Sequence, residues 1–191
     1  MDQSLFLIAG LGNPGREYAR SYHNIGFMAL DRLAQRLHIP VDRARFHGIY
    51  GLSKVAGRSV MLLKPATYMN LSGDSIAEAA RFYKVPSENI LVLYDDIDIP
   101  LGKIRIRETG GPGTHNGMRS VVSRLGTDNF PRIRIGIGPL PEYFDIVSYV
   151  LRPVADAHVP ALSEAIEQTA AAAEVCIRED VMKAMNRYNQ R

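Results

Sequence analysis

The sequence predicts an α/β fold: a three-layer single domain with a mixed, largely parallel central sheet flanked by helices. Three observations predict it. Stretches with apolar residues at helical spacing alternate with short apolar runs of strand length. Ile90-Leu91-Val92-Leu93 is apolar at every position, as suits a strand buried on both faces. Leu5 to Ala9 is a second such run, and it opens into the glycine-rich turn Gly10-Leu11-Gly12-Asn13-Pro14-Gly15. In such sheets ligands gather beyond the carboxyl ends of the strands.

Taken in order, the first strand and its turn lead to Ile25, Phe27, Met28, Leu30, Leu33 and Leu37, a helical period with Asn24 as cap and Pro40 beyond its end. Ile49 to Val55 and Ser59 to Leu63 read as two strands around Ala56-Gly57-Arg58, and Lys64-Pro65 is expected to end the second. Ser72 is expected to cap a second helix carrying Ile76, Ala79, Ala80 and Tyr83 on one face. The apolar strand from Ile90 should release Tyr94-Asp95-Asp96 at its carboxyl end. Lys103 to Arg107 alternates cations with Ile, as a half-buried strand does. A glycine-rich loop, a helix from about Asn116 to Leu125 and an alternating strand around Ile133, Ile135 and Ile137 follow. Phe144 to Leu151 fits helix or strand, and Ala155 to Ala184 reads as one or two helices. A length of 191 residues and an apolar share of 46% suit one domain, 1–191, with a helical segment from about 155 packed on it.

Cys176 is the only cysteine, so no internal disulfide forms and a reducing compartment is expected. No signal-peptide pattern and no membrane-length apolar run is found, so the expected address is the cytoplasm. The net charge is +3, but Lys103, Arg105, Arg107, Arg119, Arg124, Arg132 and Arg134 crowd one segment with only Glu108 and Asp128 among them. Such a field suits a polyanion, though on charge alone a solvated face is the favoured reading. Arg132 is expected on a solvated face.

The opening glycines match part of a dinucleotide fingerprint, but Ile49 to Val55 ends without the carboxylate that fingerprint needs. No Ser lies in a Gly-x-Ser-x-Gly turn, and Cys176 falls in a helix, so water is the nucleophile left. His23 is the candidate base, with Asp95 or Asp96 to orient it. His38 and His158 read as ordinary histidines and His47 is undecided, whereas His115, like His23, precedes Asn on a glycine-flanked loop. Asn13, Asn70 and Asn116 offer uncharged donors and acceptors for a carbonyl substrate. Asp95-Asp96-x-Asp98 lacks the Gly and Glu of a calcium loop, and two of these carboxylates would suit magnesium. No zinc pattern is present.

The residues Gly10-Leu11-Gly12-Asn13-Pro14-Gly15, Tyr18, His23-Asn24-Ile25-Gly26-Phe27, Lys64-Pro65-x-Thr67-Tyr68-Met69-Asn70-x-Ser72-Gly73, Asp95-x-x-Asp98-x-Pro100-x-Gly102 and Gly113-x-His115-Asn116-Gly117 resemble bacterial-type peptidyl-tRNA hydrolases. The likeness runs from about Leu5 to Gly138. It implies hydrolysis of the ester between a peptide and the 3′ ribose of tRNA, by a monomer that needs no metal or other cofactor. It implies His23 as base, Asp95 rather than Asp96 as its partner, and Asn13 as the residue that helps tell blocked from free aminoacyl-tRNA. It implies substrate or tRNA contacts for Tyr18, Tyr68, Met69, Asn70, Asn116, Arg105, Arg107 and Arg134. Core packing remains open for the two tyrosines and Met69. Pro112, Thr114 and Gly138-Pro139-Leu140-Pro141 depart from the resemblance around the expected cleft. A structured-RNA-binding protein of the same fold, without catalysis, is the alternative.

Overall fold

The computed structural model describes residues 4–189. The outermost residues of the expected domain, 1–3 and 190–191, lie outside the described residues. The strands are β1 (Phe6–Gly10), β2 (Arg43–Arg45), β3 (Gly48–Val55), β4 (Arg58–Pro65), β5 (Ile90–Pro100), β6 (Ile104–Arg107) and β7 (Arg132–Gly138). The helices are α1 (Ile25–Leu37), α2 (Ser72–Tyr83), α3 (Asn116–Leu125), α4 (Ile146–Leu151), α5 (Val159–Arg178) and α6 (Val181–Tyr188). One sheet of seven strands runs β2-β3-β4-β1-β5-β7-β6. β4, β1, β5 and β7 are parallel, while β2, β3 and β6 add antiparallel edges.

Alternation along the central strands builds two cores. Ile8, Leu91 and Leu93 join Leu30, Leu33 and Ala173 on the face covered by α1 and α5. Leu7, Ala9 and Val92 join Ile76, Met118 and Val121 on the face covered by α2 and α3. A strand buried on both sides carries no polar face, which is why Ile90 to Leu93 reads as an unbroken apolar run. α5 packs on α1, and α6 packs on α5 and β6.

Three local expectations are corrected. β4 continues through Pro65, which still pairs with Gly48. β1 pairs only as far as Leu63, so the missing N–H of Pro65 has no ladder to break on that side. Ser72 does not cap α2; it is the first helical residue, and its hydroxyl donates to the Met69 carbonyl at 2.8 Å. Asn24 holds the cap position of α1 but makes no side-chain cap bond.

The fourth correction positions the site. Tyr94, Asp95 and Asp96 lie within β5 rather than beyond it. β5 outruns β1: its pairing with β1 ends at Leu93, while its pairing with β7 continues through Asp96. From Tyr94 onward β5 therefore has an open side, and the turn before α1 packs there. Gly26 allows this approach, because a Cβ there would meet the Leu11 carbonyl oxygen at 2.6 Å and the Leu93 carbonyl closer still.

Candidate active site

Asp95 is the hub. It is 2% exposed, and His23 Nδ1 lies 3.0 and 2.9 Å from its two oxygens. His115 Nε2 lies 2.8 Å from Oδ1. Burial works against the Asp95 charge, but the two imidazoles outweigh it and hold the carboxyl well below its usual range. His23 shows the reciprocal effect: burial disfavours its cation, yet the charge and hydrogen bond of Asp95 leave its pKa raised.

The two histidines differ in their second nitrogens. The Met118 backbone N–H donates to His115 Nδ1 at 3.2 Å, so that nitrogen carries a lone pair and the proton sits on Nε2 toward Asp95. Both nitrogens of His115 are committed. In neutral His23 the Nδ1 proton faces Asp95, which leaves the Nε2 lone pair as the basic site.

His23, Asp95 and His115 are close enough for a cation, but their donors do not suit one. A ligating imidazole needs a lone pair toward the metal, and His115 turns its only available lone pair to Met118. The magnesium alternative meets a similar obstacle. Asp96 accepts from Arg134 Nε at 2.7 Å and from the Asp98 N–H at 2.9 Å.

Asn13 is oriented by backbone. Its Oδ1 accepts the Met69 N–H at 2.7 Å, so its amide NH₂ is the group left for the cavity that it lines. Asn24 clamps the same turn: its Oδ1 accepts the Asn13 N–H at 2.8 Å and its Nδ2 donates to the Asn13 carbonyl at 2.9 Å. The polar signal in His23-Asn24 is thus real, but Asn24 supports Asn13 instead of capping a helix.

Asn13, His23, Asp95, Asn70, Asn116, Tyr68 and Met69 all line one cavity of about 490 Å³, with Arg107 and Arg134 on its border. Asn70 and Asn116 are exposed, and Tyr68 is held outward at a positive φ of 60°. Met69 is both core and cleft, being 3% exposed while lining the cavity. Gly117 makes room for it, since a Cβ there would meet the Met69 sulfur at 2.5 Å. Tyr18 and Arg105 do not line the cavity. Arg105 lies beside Arg134 in the β6–β7 register, so it extends the cationic sheet face past the border.

Arg132 is not solvated. It is 1% exposed, and its guanidinium donates to the carbonyls of Gly110, Gly111, Asp128 and Phe130. It therefore holds the glycine-rich loop that walls the cavity. Sequence reading also missed the apolar wall, where Ile146, Val147, Val150 and Leu151 of α4 face the polar groups. Cys176 lies in α5 outside the lining, and burial pushes its thiol up to about 12, so it is no nucleophile.

The family model for peptidyl-tRNA hydrolase matches residues 7–191. This chain belongs to the peptidyl-tRNA hydrolase family. A peptidyl-tRNA hydrolase of Alkaliphilus metalliredigens is 46% identical over 185 residues, 97% of this chain and 100% of the relative. One from Bacillus licheniformis is 44% identical, with 97% and 98% covered. The crystal structure of peptidyl-tRNA hydrolase from Acinetobacter baumannii superposes with a TM-score of 0.91 at 37% identity, covering 98% of this chain and 95% of that one. A nucleosidase from Helicobacter pylori superposes at 0.52 with 6% identity, which is a likeness of fold alone. The peptidyl-tRNA hydrolase fold expected from the sequence, a mixed sheet with a parallel centre between helical layers, is the one observed. Among the described residues, no helix is long and apolar enough to cross a membrane.

Proposed function

We propose that this peptidyl-tRNA hydrolase cleaves its ester with a water activated by His23. His23 Nε2 takes a proton from water as the oxygen adds to the ester carbonyl. Asp95 keeps the ring in its Nδ1–H tautomer and stabilises the imidazolium. The Asn13 amide donates to the oxyanion that forms, and Asn70 and Asn116 position the acyl group and the water. Collapse of the tetrahedral intermediate expels the 3′ oxygen of the ribose, which recovers a proton from His23. The peptide leaves as a carboxylic acid and the tRNA is freed.

The observation that carries this reading is the His23–Asp95 pair at 2.9 Å, in the same cavity as an Asn13 whose donor end is set by Met69. Arg107 and Arg134 border that cavity and supply the charge for backbone phosphates, with Arg105 beside them, so the acceptor end of the tRNA enters on that side. Tyr68, 57% exposed, offers a ring on which a terminal base stacks. Tyr18 is half-buried outside the cavity. The mutual engagement of Asp95 and the histidines supports chemistry without a metal. A tRNA substrate makes the cytoplasm its place of work.

The test is incubation of purified protein with N-acetyl-aminoacyl-tRNA beside the unblocked form. Release of tRNA from the blocked form, insensitive to chelators and strongly reduced in His23→Ala, is expected. Undiminished turnover by His23→Ala overturns the base, and chelator inhibition reversed by added metal overturns the metal-free reading.

A further inference from the structure

His23 sits in a single 3-10 turn, Tyr22–Asn24. So short a turn has little rigidity of its own. Its two flanking residues are almost wholly buried, Tyr22 at 1% and Asn24 at 3% exposure. Asn24 ties one side to Asn13, as described. Tyr22 ties the other side to a different part of the chain. Its hydroxyl accepts the Ala155 N–H at 3.2 Å and pairs with His158 Nδ1 at 2.6 Å. Its ring stacks on Tyr149 of α4, with centroids 4.7 Å apart and planes 20° from parallel. Tyr149 in turn donates to the Ile137 carbonyl at 3.1 Å. The backbone repeats the connection: Tyr22 N–H donates to the Arg152 carbonyl at 3.3 Å and Val154 N–H to the Arg20 carbonyl at 2.9 Å. α4 is the helix that forms the apolar wall of the cavity, through Val150 and Leu151 among others.

We propose that Tyr22 is a positioning residue for the reaction of the cleft, locking the turn that carries His23 to the helix that forms the apolar wall. The inference rests on the reading of His23 as the base. A phenyl ring would fill the same volume and keep the stack on Tyr149. The hydroxyl, through Ala155 and His158, is the side-chain link that reinforces the backbone pairing of the turn with the segment after α4. A displacement of about 1 Å at a reacting group can cost about a hundredfold in rate. The groups that face the His23 ring are Asp95 and His115. A turn that slips therefore also changes how strongly Asp95 favours the imidazolium.

The experiment compares wild type with Tyr22→Phe, His158→Ala and His158→Asn on N-acetyl-aminoacyl-tRNA, across pH. Tyr22→Phe is expected to lower kcat by about five- to twentyfold, within the range a sub-ångström displacement allows, with KM within about twofold. The acid limb of kcat should move to lower pH, since burial then acts with less opposition from Asp95. His158→Ala should shift both in the same direction by less. His158→Asn, which keeps a side-chain amide able to pair with the hydroxyl, should restore them. Tyr22→Phe with His158→Ala should be no worse than Tyr22→Phe alone. Leu33→Ala, buried at the far end of α1, is the stability control and should lower the melting temperature without moving the limb. If Tyr22→Phe does not fold, half-buried His158 and its Asn rescue carry the test. Unmoved kcat and limb in the Tyr22 and His158 variants, or changes matched by Leu33→Ala, overturn the proposal. His23→Ala separates the failures: an inactive His23→Ala beside an unmoved Tyr22→Phe removes only the role of Tyr22, whereas an active His23→Ala removes the base itself.

Discussion

Two loops deliver a histidine to the same carboxylate, and they deliver different chemistry. The turn before α1 presents His23 through Nδ1 and leaves Nε2 available. The loop before α3 presents His115 through Nε2 and uses Nδ1 to cap its own helix. Residue type and partner are identical, and the difference lies in which nitrogen meets Asp95 and what the other one does. A base needs a nitrogen with a free lone pair, so His23 can act as one and His115 can only help hold Asp95. The lesson is that the full hydrogen-bond account of a ring decides its role, not its proximity to an acid.

The sharpest way to break this comparison is to remove each ring in turn. His23→Ala should lose about two to four orders of magnitude in kcat, the usual contribution of a general base, while tRNA binding stays largely intact. Steady-state cleavage and an equilibrium binding assay check the two halves. Asn13→Ala should follow, at about a hundred- to a thousandfold for a lost oxyanion donor. His115→Ala should cost roughly tenfold, about the worth of one hydrogen bond to a charged group. An equal loss for the two histidines would end the distinction between them.

Acidity sharpens the same point. The base must be neutral, so kcat should rise with pH as His23 loses its proton. Because the pKa of His23 is raised, that limb should lie above the ordinary imidazole value. Asp95→Asn removes the charge that opposes burial, so the limb should shift to lower pH while the plateau falls. The linkage to stability has opposite signs at the two groups. The raised pKa of His23 adds stability fully present below the unfolded-state value and lost as pH rises through the folded-state value. The depressed pKa of Asp95 adds stability present above the usual carboxylate range and lost as pH falls below it. Thermal melts of wild type and Asp95→Asn at acidic and neutral pH check both signs. The smallest effect is expected at the cavity border. Arg107→Ala should weaken tRNA binding and flatten its log–log salt dependence by about 0.7, the share of one single-strand phosphate.

The parts of the site that follow directly on apolar runs were legible early. Asn13 comes out of a glycine-rich turn after an apolar run, and Asp95 comes just after another. Both readings need only period and composition. Arg132 shows the opposite case. It alternates with Ile133 just as Arg134 does, so periodicity assigns the two arginines the same face. What separates them is the glycine-rich loop folding over one and Asp96 meeting the other, contacts 22 and 38 residues away in the chain. Ser72 misses the cap position and Asn24 holds it without a side-chain cap bond, for a related reason. Both are residue types that cap helices, but each found a stronger local partner, the Met69 carbonyl and the Asn13 backbone. Tyr22 carried no chemical signal at all, because a tyrosine beside an apolar period reads as core.

The amino-acid order by itself determined the layered sheet, the apolar runs that polar groups follow and the families of residue able to do ester chemistry. Those properties depend on neighbours within a few positions, through side-chain alternation and turn stereochemistry. Tertiary structure decided which nitrogen of each imidazole is spare, which arginine is sealed inside, and that a helix after β7 completes the cavity. These depend on hydrogen-bond partners that chain folding brings from distant segments, and a donor or acceptor has no assignment until its partner arrives.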